Sequence, residues 1–215
     1  MSPPRLTRRE KQQRTRRCLL DAAAKLFCKR GLEGTSIDEV AAEAGYTKGA
    51  FYANFSSKEE LFLVMLEEQF ACELERLDEM LDSGDDPYEA ARAAAADFIH
   101  FAGGQGWPRM YFQFAAHAAR DDKFRRELAA RQKEMRERIA QVFERWADGL
   151  GFEPPLPVAD IAAMTYFMSD GFLLDRLIDP RIRDDLYPAM LAVFLRGLEA
   201  MAAERGGLVA DSASR

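Results

Sequence analysis

The stretch SIDEVAAEAGYTKGAFYANFSSKEEL, residues 36–61, restricts the possible folds of this chain more than any other segment. Ser36, with Glu39 three residues later, has the capping-box pattern of a helix start, and Gly45 ends that helix after at most about three turns. Thr47 can cap a second short helix directly afterwards. The sequence therefore predicts two short helices joined by a tight turn that contains glycine.

The rest of the chain continues the helical spacing of apolar residues. One helix is predicted from Thr7 to Arg30, and a long one starts at the capping box of Ser57 and Glu60 and runs to the DSGDDP break. No segment shows the alternation typical of a strand. The prediction is an all-α fold of about nine helices without a sheet, with the later helices over residues 86–102, 107–120, 123–149, 158–178 and 185–205.

Charge is spread unevenly along the 215 residues. The first 60 residues carry twelve Lys or Arg against eight Asp or Glu, whereas the remaining 155 carry 18 against 28. A local positive excess favours a nucleic-acid partner in spite of the net charge of −6, because a duplex interacts with the patch and not with the average. The predicted organisation is a helix-turn-helix domain at 1–57, a helical body at 58–205 and a disordered tail at 206–215.

Composition also predicts the compartment. The longest uninterrupted apolar run, IAAMTYFM from Ile161, is too short to span a bilayer, and the charged N-terminal residues do not resemble a signal peptide. The cysteines Cys18, Cys28 and Cys72 form no CxxC pair and fall at apolar helix positions, so reduced thiols are expected. We therefore expect a cytoplasmic protein with no membrane association and no cofactor.

A helix-turn-helix presents the second helix of the pair to the major groove of DNA. The apolar positions expected to hold the unit together are Ile37, Val40, Ala41, Phe51 and Phe55. The positions expected on its open face are Lys48, Gly49, Tyr52 and Asn54. The same shape occurs as a helical hairpin in bundles that bind no DNA, so geometry alone leaves both interpretations open.

A longer string favours DNA binding. GLEGTSIDEVAAEAGYTKGAFYANFSSKEEL, residues 31–61, resembles the N-terminal domain of AcrR-like members of the TetR (tetracycline-repressor) family almost position for position. The resemblance covers the first quarter to third of the chain. It implies a homodimeric transcriptional regulator, usually a repressor, although activation stays open. The implied partners are double-stranded DNA that contains a palindromic operator and an unknown small-molecule effector.

The resemblance also implies roles within the second short helix. Thr47 and Lys48 would open a recognition helix, Lys48 and Gly49 would reach base edges, and Tyr52 would contact a phosphate. Asn54 stands where the family often has His or Tyr, so this position departs from the pattern. The alternative for Lys48, as for Lys58, is an ordinary solvated lysine.

Further phosphate contacts are expected outside that helix. Ser36 and Lys58 would hold phosphates at two helix N-termini, where amide N–H groups and the helix dipole favour anions. Arg8, Arg9 and Arg14 could add contacts from a mobile arm, although a basic tail can also serve solubility alone.

The last two predicted helices carry apolar residues on more than one face, which requires a thick core or a partner. The resemblance favours a four-helix dimer interface built from two helices of each chain, whereas packing within one chain explains the same residues. The expected interface residues are Ile161, Met164, Met168, Phe172, Met190, Val193, Phe194, Leu198 and Met201.

Aromatic residues concentrate in DFIHFAGGQGWPRMYFQFAAHAARDD, which also holds both histidines. Such a cluster can line an effector pocket, although aromatic residues at helical spacing are more often core. The candidate pocket residues are His100, Trp107, Met110, Tyr111, Phe114, His117, Phe143 and Tyr166. No metal site is expected, because the chain has two histidines and no thiol pair. No catalytic residue is expected, because the paired acids stand at helix starts, where capping explains them: Asp85–Asp86, Asp121–Asp122 and Asp184–Asp185. The alternatives are a scaffold or ligand-binding protein that binds no DNA and, with least support, an enzyme.

Overall fold

The computed structural model describes residues 7–82, 87–102, 106–151 and 153–212. Within these ranges the chain forms nine α-helices and no strand, which confirms the predicted all-α fold. The helices are α1 (Arg8–Arg30), α2 (Ile37–Glu43), α3 (Lys48–Tyr52), α4 (Lys58–Asp82), α5 (Pro87–Ala102), α6 (Trp107–Ala118), α7 (Asp122–Leu150), α8 (Val158–Ile178) and α9 (Leu186–Ser212). The predicted helix start at Asp86 and the predicted Gly103–Gly104 break lie outside the described residues.

The first three helices begin at side-chain caps. Thr7 and Ser36 each form a complete capping box, with Glu10 and Glu39 as partners. In each box the hydroxyl accepts from the backbone N–H of the glutamate, and the glutamate carboxylate accepts from the backbone N–H of the capping residue. Thr47 caps α3 by accepting from the N–H of Ala50, as the sequence predicts. These caps satisfy N–H groups that have no partner inside the helix.

The start of α4 differs from the prediction in one hydrogen bond. The Ser57 hydroxyl accepts from the Glu60 N–H at 3.1 Å, but the Glu60 carboxylate binds the preceding serine, accepting from the Ser56 N–H at 2.6 Å and from its hydroxyl. The hydrogen bonds from Ser56 lower the pKa of the Glu60 carboxyl below its usual value. Two serines therefore share the cap.

Contacts group the chain into two compact units. The first unit comprises residues 1–69 and 105–129, which include α1 to α3, the first half of α4, α6 and the start of α7. Its core is aromatic: the rings of Phe62 and Phe114 stack with centroids 3.6 Å apart, and Phe27 meets Phe114 edge-on at 5.4 Å. Burying each such side chain contributes about 1.5–3 kcal/mol to stability.

The second unit comprises residues 70–104 and 130–215. In it α9 packs on α5 and α8, and four α9 residues spaced three or four apart are buried: Tyr187, Leu191, Leu195 and Leu198. A second buried cluster joins Leu74, Met135, Val142 and Tyr166. The boundary between the two units divides α4 between residues 69 and 70, whereas the division into functional domains at residue 57 stays a prediction.

Two ends differ from the sequence-based boundaries. Helix α6 ends at Ala118, and α9 continues to Ser212, so residues 206–212 are helical where a disordered tail is predicted. An established helix propagates at low cost, since each added residue gains one hydrogen bond, and Gly206–Gly207 do not interrupt it.

One segment of α9, Leu186–Glu204, is long and apolar enough to cross a membrane by length and composition, with a mean hydropathy of 1.3. Only 28% of that segment is buried. The regular burial of one face, from Tyr187 to Leu198, is typical of a helix packed in a bundle.

Candidate nucleic-acid interface and effector site

A left-handed glycine makes the turn between α2 and α3. Gly45 has φ 76°, and the following Tyr46 N–H donates to the Ala41 carbonyl at 2.8 Å, which is the closing bond of a helix C-terminal motif. A Cβ at Gly45 would meet nothing within 4 Å, so the backbone conformation and not crowding favours glycine here.

The helix-turn-helix packs as its apolar spacing predicts. Val40, Ala41, Phe51 and Phe55 are buried, and Ile37 is half-buried. Lys48, Gly49 and Tyr52 are exposed, and nothing except the Thr47 hydroxyl at 3.7 Å would lie near a Cβ at Gly49. The surface of α3 is thus open at each of these three positions.

Lys48 has an intramolecular partner that sequence inspection missed. Its Nζ lies 2.9 Å from Oδ2 of Asp38, which belongs to the first turn of α2. This hydrogen bond and the charge of Asp38 raise the pKa of the Lys48 ammonium. Both side chains are exposed, so the pair contributes little to stability and Lys48 can exchange Asp38 for another anion.

Asn54 is half-buried, and its contacts are to the protein. The side-chain amide of Asn54 donates to the Ala50 carbonyl at 2.8 Å, and the backbone carbonyl of Asn54 accepts from Arg16 Nη1 at 3.2 Å. The Arg16 guanidinium also lies 4.4 Å above the ring of Phe55. Arg16 therefore joins α1 to the end of α3.

The predicted phosphate ligands Ser36 and Lys58 are both engaged. The Ser36 hydroxyl accepts from the Glu39 N–H at 3.2 Å and donates to its carboxylate at 2.9 Å. The Lys58 ammonium is half-buried and donates to the carbonyls of Leu32 and Thr35 at 2.8 and 2.7 Å. Two of the three N–H donors of the Lys58 ammonium thus bind the α1–α2 loop, residues 31–36.

A glutamine from α6 completes the support of that loop. Gln113 Oε1 accepts from the Leu32 N–H at 3.3 Å, and a Cβ at Gly31 would approach the same oxygen to 2.3 Å. The buried Thr35 hydroxyl donates to the Gly31 carbonyl at 2.8 Å. No local sequence signal points to Gln113, because it is 81 positions away from Leu32.

The structure divides the eight predicted pocket residues between the two units. The first unit contains Trp107, Met110, Tyr111, Phe114 and His117, and the second contains His100, Phe143 and Tyr166. Met110, Tyr111, Phe114 and Tyr166 are buried in the cores of their units, whereas His100 is exposed. Helical spacing marks a buried face, but it does not distinguish a core from a pocket wall.

A cleft of about 560 Å³ in the second unit contains none of the eight. Leu74 and Val142 lie at its apolar part and belong to the same buried cluster as Tyr166. Charged residues from α4 and α7 surround it, and Asp78 pairs with Arg145 there. The charged and polar lining residues are Glu75, Asp78, Arg138, Gln141, Glu144, Arg145 and Asp148.

The predicted dimer residues separate into buried and exposed groups. Ile161, Phe172 and Leu198 are buried within the chain, and Met168 and Phe194 are half-buried. Nine of the ten exposed large apolar residues among those described lie on α8 and α9, and they are Met164, Phe167, Leu174, Leu177, Ile178, Leu186, Met190, Val193 and Met201. We call these nine residues the apolar face. Both faces of these helices are apolar, so their spacing does not indicate which face turns inward, and the role of all nine predicted residues in a dimer stays a prediction.

Known proteins match both parts of the chain. The profile described as "Bacterial regulatory proteins, tetR family" matches residues 19–65, and the profile described as "BetI-type transcriptional repressor, C-terminal" matches residues 87–200, more than half of the chain. The chain belongs to the TetR family of bacterial transcriptional regulators. As a TetR-family regulator it is a DNA-binding protein with an N-terminal helix-turn-helix, which confirms the predicted family and function.

Two curated relatives match this TetR-family chain over different lengths. The HTH-type transcriptional regulator YfiR of Bacillus subtilis (strain 168) is 27% identical over 184 residues, 81% of this chain and 85% of YfiR. The HTH-type transcriptional regulator AcrR of Shigella flexneri is 45% identical over 58 residues, and this match spans about a quarter of each protein, 27% of this chain and 26% of AcrR.

Solved structures share the TetR fold of this chain. A transcriptional regulator from Rhodococcus sp. Rha1 has a TM-score of 0.65 at 27% identity and covers 87% of this chain and 95% of its own. Two others were solved with ligands: a regulator from Saccharomonospora viridis with choline, at 20% identity and a TM-score of 0.65, and FadR from Bacillus subtilis with stearoyl-CoA, at 16% and 0.64. Each covers 86% of this chain and 96% or 97% of its own, and the likeness of these two shows the fold alone.

Across the described residues, no three His, Cys, Asp or Glu side chains lie together as metal ligands.

Proposed function

We propose that this TetR-family regulator acts in the cytoplasm as a homodimeric repressor that binds a palindromic operator and leaves it when a small molecule binds its C-terminal body. The observation that carries the proposal is the open surface of α3, where Lys48, Gly49 and Tyr52 are exposed while Phe51 of the same helix is buried. Because Phe51 packs in the core while these three residues are exposed, α3 can enter the major groove without losing its core contacts.

We assign the DNA contacts as follows. Lys48 reads base edges after it exchanges Asp38 for the DNA, Gly49 allows close approach, and Tyr52 contacts a phosphate, with Thr47 fixing the start of the helix. Ser36, at the N-terminus of α2, contacts a second phosphate. Asn54 and Lys58 act as positioning residues, since their polar groups hold α1, α3 and the α1–α2 loop together.

The apolar face supports dimerisation. Phe167 is 62% exposed and Val193 73% exposed, and large apolar side chains that are concentrated on two helices mark an interaction surface. A two-fold axis through α8 and α9 of two copies would cover these residues and form a four-helix interface. Such a dimer presents two α3 helices to half-sites about 34–36 Å apart, which is why the operator is expected to be palindromic.

We propose the cleft between α4 and α7 as an effector site. Four acids and two arginines line it, so it suits an organic cation better than an anion, and choline is a reasonable first probe given the neighbour solved with it. Helix α4 runs without interruption from Lys58 to Asp82, so it is one continuous element that contains both the Lys58 support and one wall of the cleft. An effector that shifts α4 would change how the α1–α2 loop is held.

The effector proposal has a direct test. Choline should lower operator affinity in the intact dimer, Gln141→Trp should fill the cleft and remove this response, and Ala130→Trp on the same helix should keep it. Because coupling is reciprocal, operator DNA must weaken choline binding by the same factor. Equal calorimetric affinity for choline with and without operator would exclude this cleft as a choline-responsive site.

A gel-shift screen against duplexes from the protein's own upstream DNA tests the primary function. The expected result is a sequence-selective complex that weakens with salt. A scaffold or ligand-binding protein without DNA binding, or an enzyme, would give no selective complex, and this outcome would reject the repressor proposal.

A further inference from the structure

His117, one of the two histidines of the chain, lies on the last turn of α6 and faces the start of α4. Its Nε2 atom is 3.6 Å from Oε1 of Glu59, which belongs to the first turn of α4, and we call this contact the joint. Each side chain is 26% exposed, so water screens the joint only in part. The Nε2 atom itself is buried and has no hydrogen-bond partner among the described residues. A buried nitrogen without a partner costs free energy, so the joint is incomplete at this distance.

The residues around His117 also include the start of α7. The ring of Phe124 lies 5.6 Å from the imidazole, and the Asp121 carboxylate accepts from the N–H groups of Phe124 and Lys123 at 2.9 Å. These two hydrogen bonds, together with the charges of His117 and Lys123, lower the pKa of the Asp121 carboxyl. Asp121 is therefore ionised at every pH at which a histidine changes its charge. The charged groups near His117 are thus two carboxylates, Glu59 and Asp121, and the ammonium of Lys123, which acts on Asp121.

The side of α6 that carries His117 also binds the α1–α2 loop. Gln113 precedes His117 by four positions, so the two lie on one side of the helix, and Gln113 accepts from the Leu32 N–H at 3.3 Å. Just beyond the helix, Arg120 pairs with Glu33 of the same loop at 3.2 Å. Of these three side chains of α6 and its end, only His117 changes charge near neutral pH.

Leu32 connects this side of α6 to α4. Its N–H donates to Gln113 of α6, and its carbonyl accepts from the ammonium of Lys58, the first residue of α4, at 2.8 Å. Lys58 and Glu59 are neighbours on α4, just as Gln113 and His117 are one turn apart on α6. Leu32 therefore forms one bridge between the two helices, and the joint forms a second. When both bridges are closed, the loop that leads into α2 is held on both sides.

We propose that His117 is a proton-sensitive positioning residue, whose protonation closes the joint and raises operator affinity as pH falls from about 8 to about 6. The inference rests on the DNA-binding function proposed above. An imidazolium carries a proton on both ring nitrogens, so its Nε2 always donates, whereas a neutral imidazole carries a proton on only one. The ion pair with Glu59 exists only while His117 is protonated. The joint is therefore a charge-assisted hydrogen bond at low pH and is lost as pH rises through the titration of His117.

Closing the joint raises affinity because it fixes the helix-turn-helix. Lys58 also binds the Thr35 carbonyl, and Thr35 directly precedes Ser36, the cap of α2. A first turn of α4 that is attached to α6 through Glu59 thus holds the loop and the start of α2 in one arrangement. A surface that is already ordered loses less conformational entropy when it binds. His117 acts through position and not through a base contact, so the base preference should not change with pH.

Operator titrations at pH 6 and pH 8, at constant ionic strength, test the inference in the full chain. The matched control for His117→Gln is His100→Gln, because His100 is the other histidine and is exposed in the second unit. Wild type and His100→Gln should bind the operator about five- to tenfold more tightly at pH 6 than at pH 8. His117→Gln and Glu59→Gln should bind equally at both. His117→Lys keeps the positive charge and should bind with the higher affinity at both.

Melting temperatures without DNA measure the joint independently. The wild type and His117→Gln should melt at similar temperatures at pH 8, and the wild type should melt higher at pH 6, because the joint is then closed. Because coupling is reciprocal, operator binding by the wild type should take up protons near neutral pH, which appears as a calorimetric enthalpy that depends on the buffer. His117→Gln should not show this dependence.

Three results would overturn the inference. They are equal operator affinity of the wild type at pH 6 and pH 8, a pH dependence that His117→Gln retains, and a pH dependence that His100→Gln loses. If no protein binds any duplex selectively at either pH, the repressor proposal fails and this inference fails with it. A melting difference that still grows at pH 6 would then assign the joint to stability alone.

Discussion

At the scale of single residues, the candidate interface contains two lysines in different surroundings. Lys48 is exposed and bound to one carboxylate that can be exchanged, whereas Lys58 is half-buried and bound to two backbone carbonyls. Both stand at the first position of a helix, so their positions along the chain do not distinguish them. Their surroundings distinguish them, and substitution of each lysine is expected to have a different effect.

Lys48→Ala should weaken binding to the preferred operator by about 1–3 kcal/mol and relax the preference at one base position, because a base contact is lost. Competition binding against a panel of single-base variants measures both effects. Tyr52→Phe is the comparison, since loss of a phosphate contact weakens all sequences alike. A Lys48→Ala protein with unchanged base preference would remove the assignment.

Asp38→Asn should have the opposite effect on affinity. The change removes a carboxylate that competes with DNA for Lys48 and repels phosphates, so affinity for every duplex should rise by about two- to tenfold. The ratio of operator to random-duplex affinity, measured by the same competition, should fall or stay equal. Weaker binding to both duplexes would instead mean that Asp38 orients Lys48 for the groove.

Lys58→Ala should lower the free energy of unfolding by about 1–3 kcal/mol, because two loop carbonyls lose a charged donor. Chemical denaturation gives this quantity. The salt slope of DNA binding should stay close to that of the wild type, whereas direct phosphate binding by Lys58 in each subunit of the dimer predicts a loss of about two units with little change in stability.

At the scale of elements, capping carboxylates define the helix-turn-helix. The Glu39 carboxylate accepts hydrogen bonds from the N–H and hydroxyl of Ser36, and the Glu60 carboxylate accepts them from the hydroxyl and N–H of Ser56. These bonds lower the pKa of each carboxyl below its ordinary value of 4.5. The folded state therefore favours the ionised form. The stabilisation is present above about pH 4.5 and is lost as pH falls through the lowered pKa of the folded protein.

Glu60→Gln should reduce the melting temperature at pH 7 by roughly 2 °C, and the difference from wild type should shrink as pH falls from 5 to 3. Thermal unfolding followed by circular dichroism at each pH measures it. Glu134→Gln, an exposed glutamate of α7, is the control and should show no pH-dependent difference. A difference for Glu60→Gln that persists at pH 3 would contradict the cap as its source.

At the scale of the whole molecule, the proposed dimer rests on the apolar face. Phe167→Glu and Val193→Glu place charges at two of its three most exposed positions, so each should shift the protein toward monomer and reduce operator affinity by at least tenfold, because two half-sites are no longer bound together. Light scattering and operator titration are the measurements. Ala130→Glu, exposed on α7, should change neither, and a stable monomer with full operator affinity would refute the dimer.

Most of the fold and part of the candidate site follow from the sequence by itself. Caps at Ser36 and Thr47, the glycine turn and the spacing of Val40, Phe51 and Phe55 act over one to four residues, which is why the helix-turn-helix and its open face are predictable. The string around Lys48 also identifies the family, as the two profile matches confirm.

Only the tertiary structure decided which polar groups are occupied and which apolar faces turn inward. Gln113 reaches Leu32 across 81 positions, Lys58 reaches it across 26, and Arg16 reaches Asn54 across 38, so no local pattern contains these partners. On α8 and α9 both faces are apolar, and packing against neighbouring helices is what buries Leu198 and leaves Val193 exposed. Periodicity reports the spacing of apolar residues along one helix, whereas burial depends on the neighbours that the rest of the chain supplies.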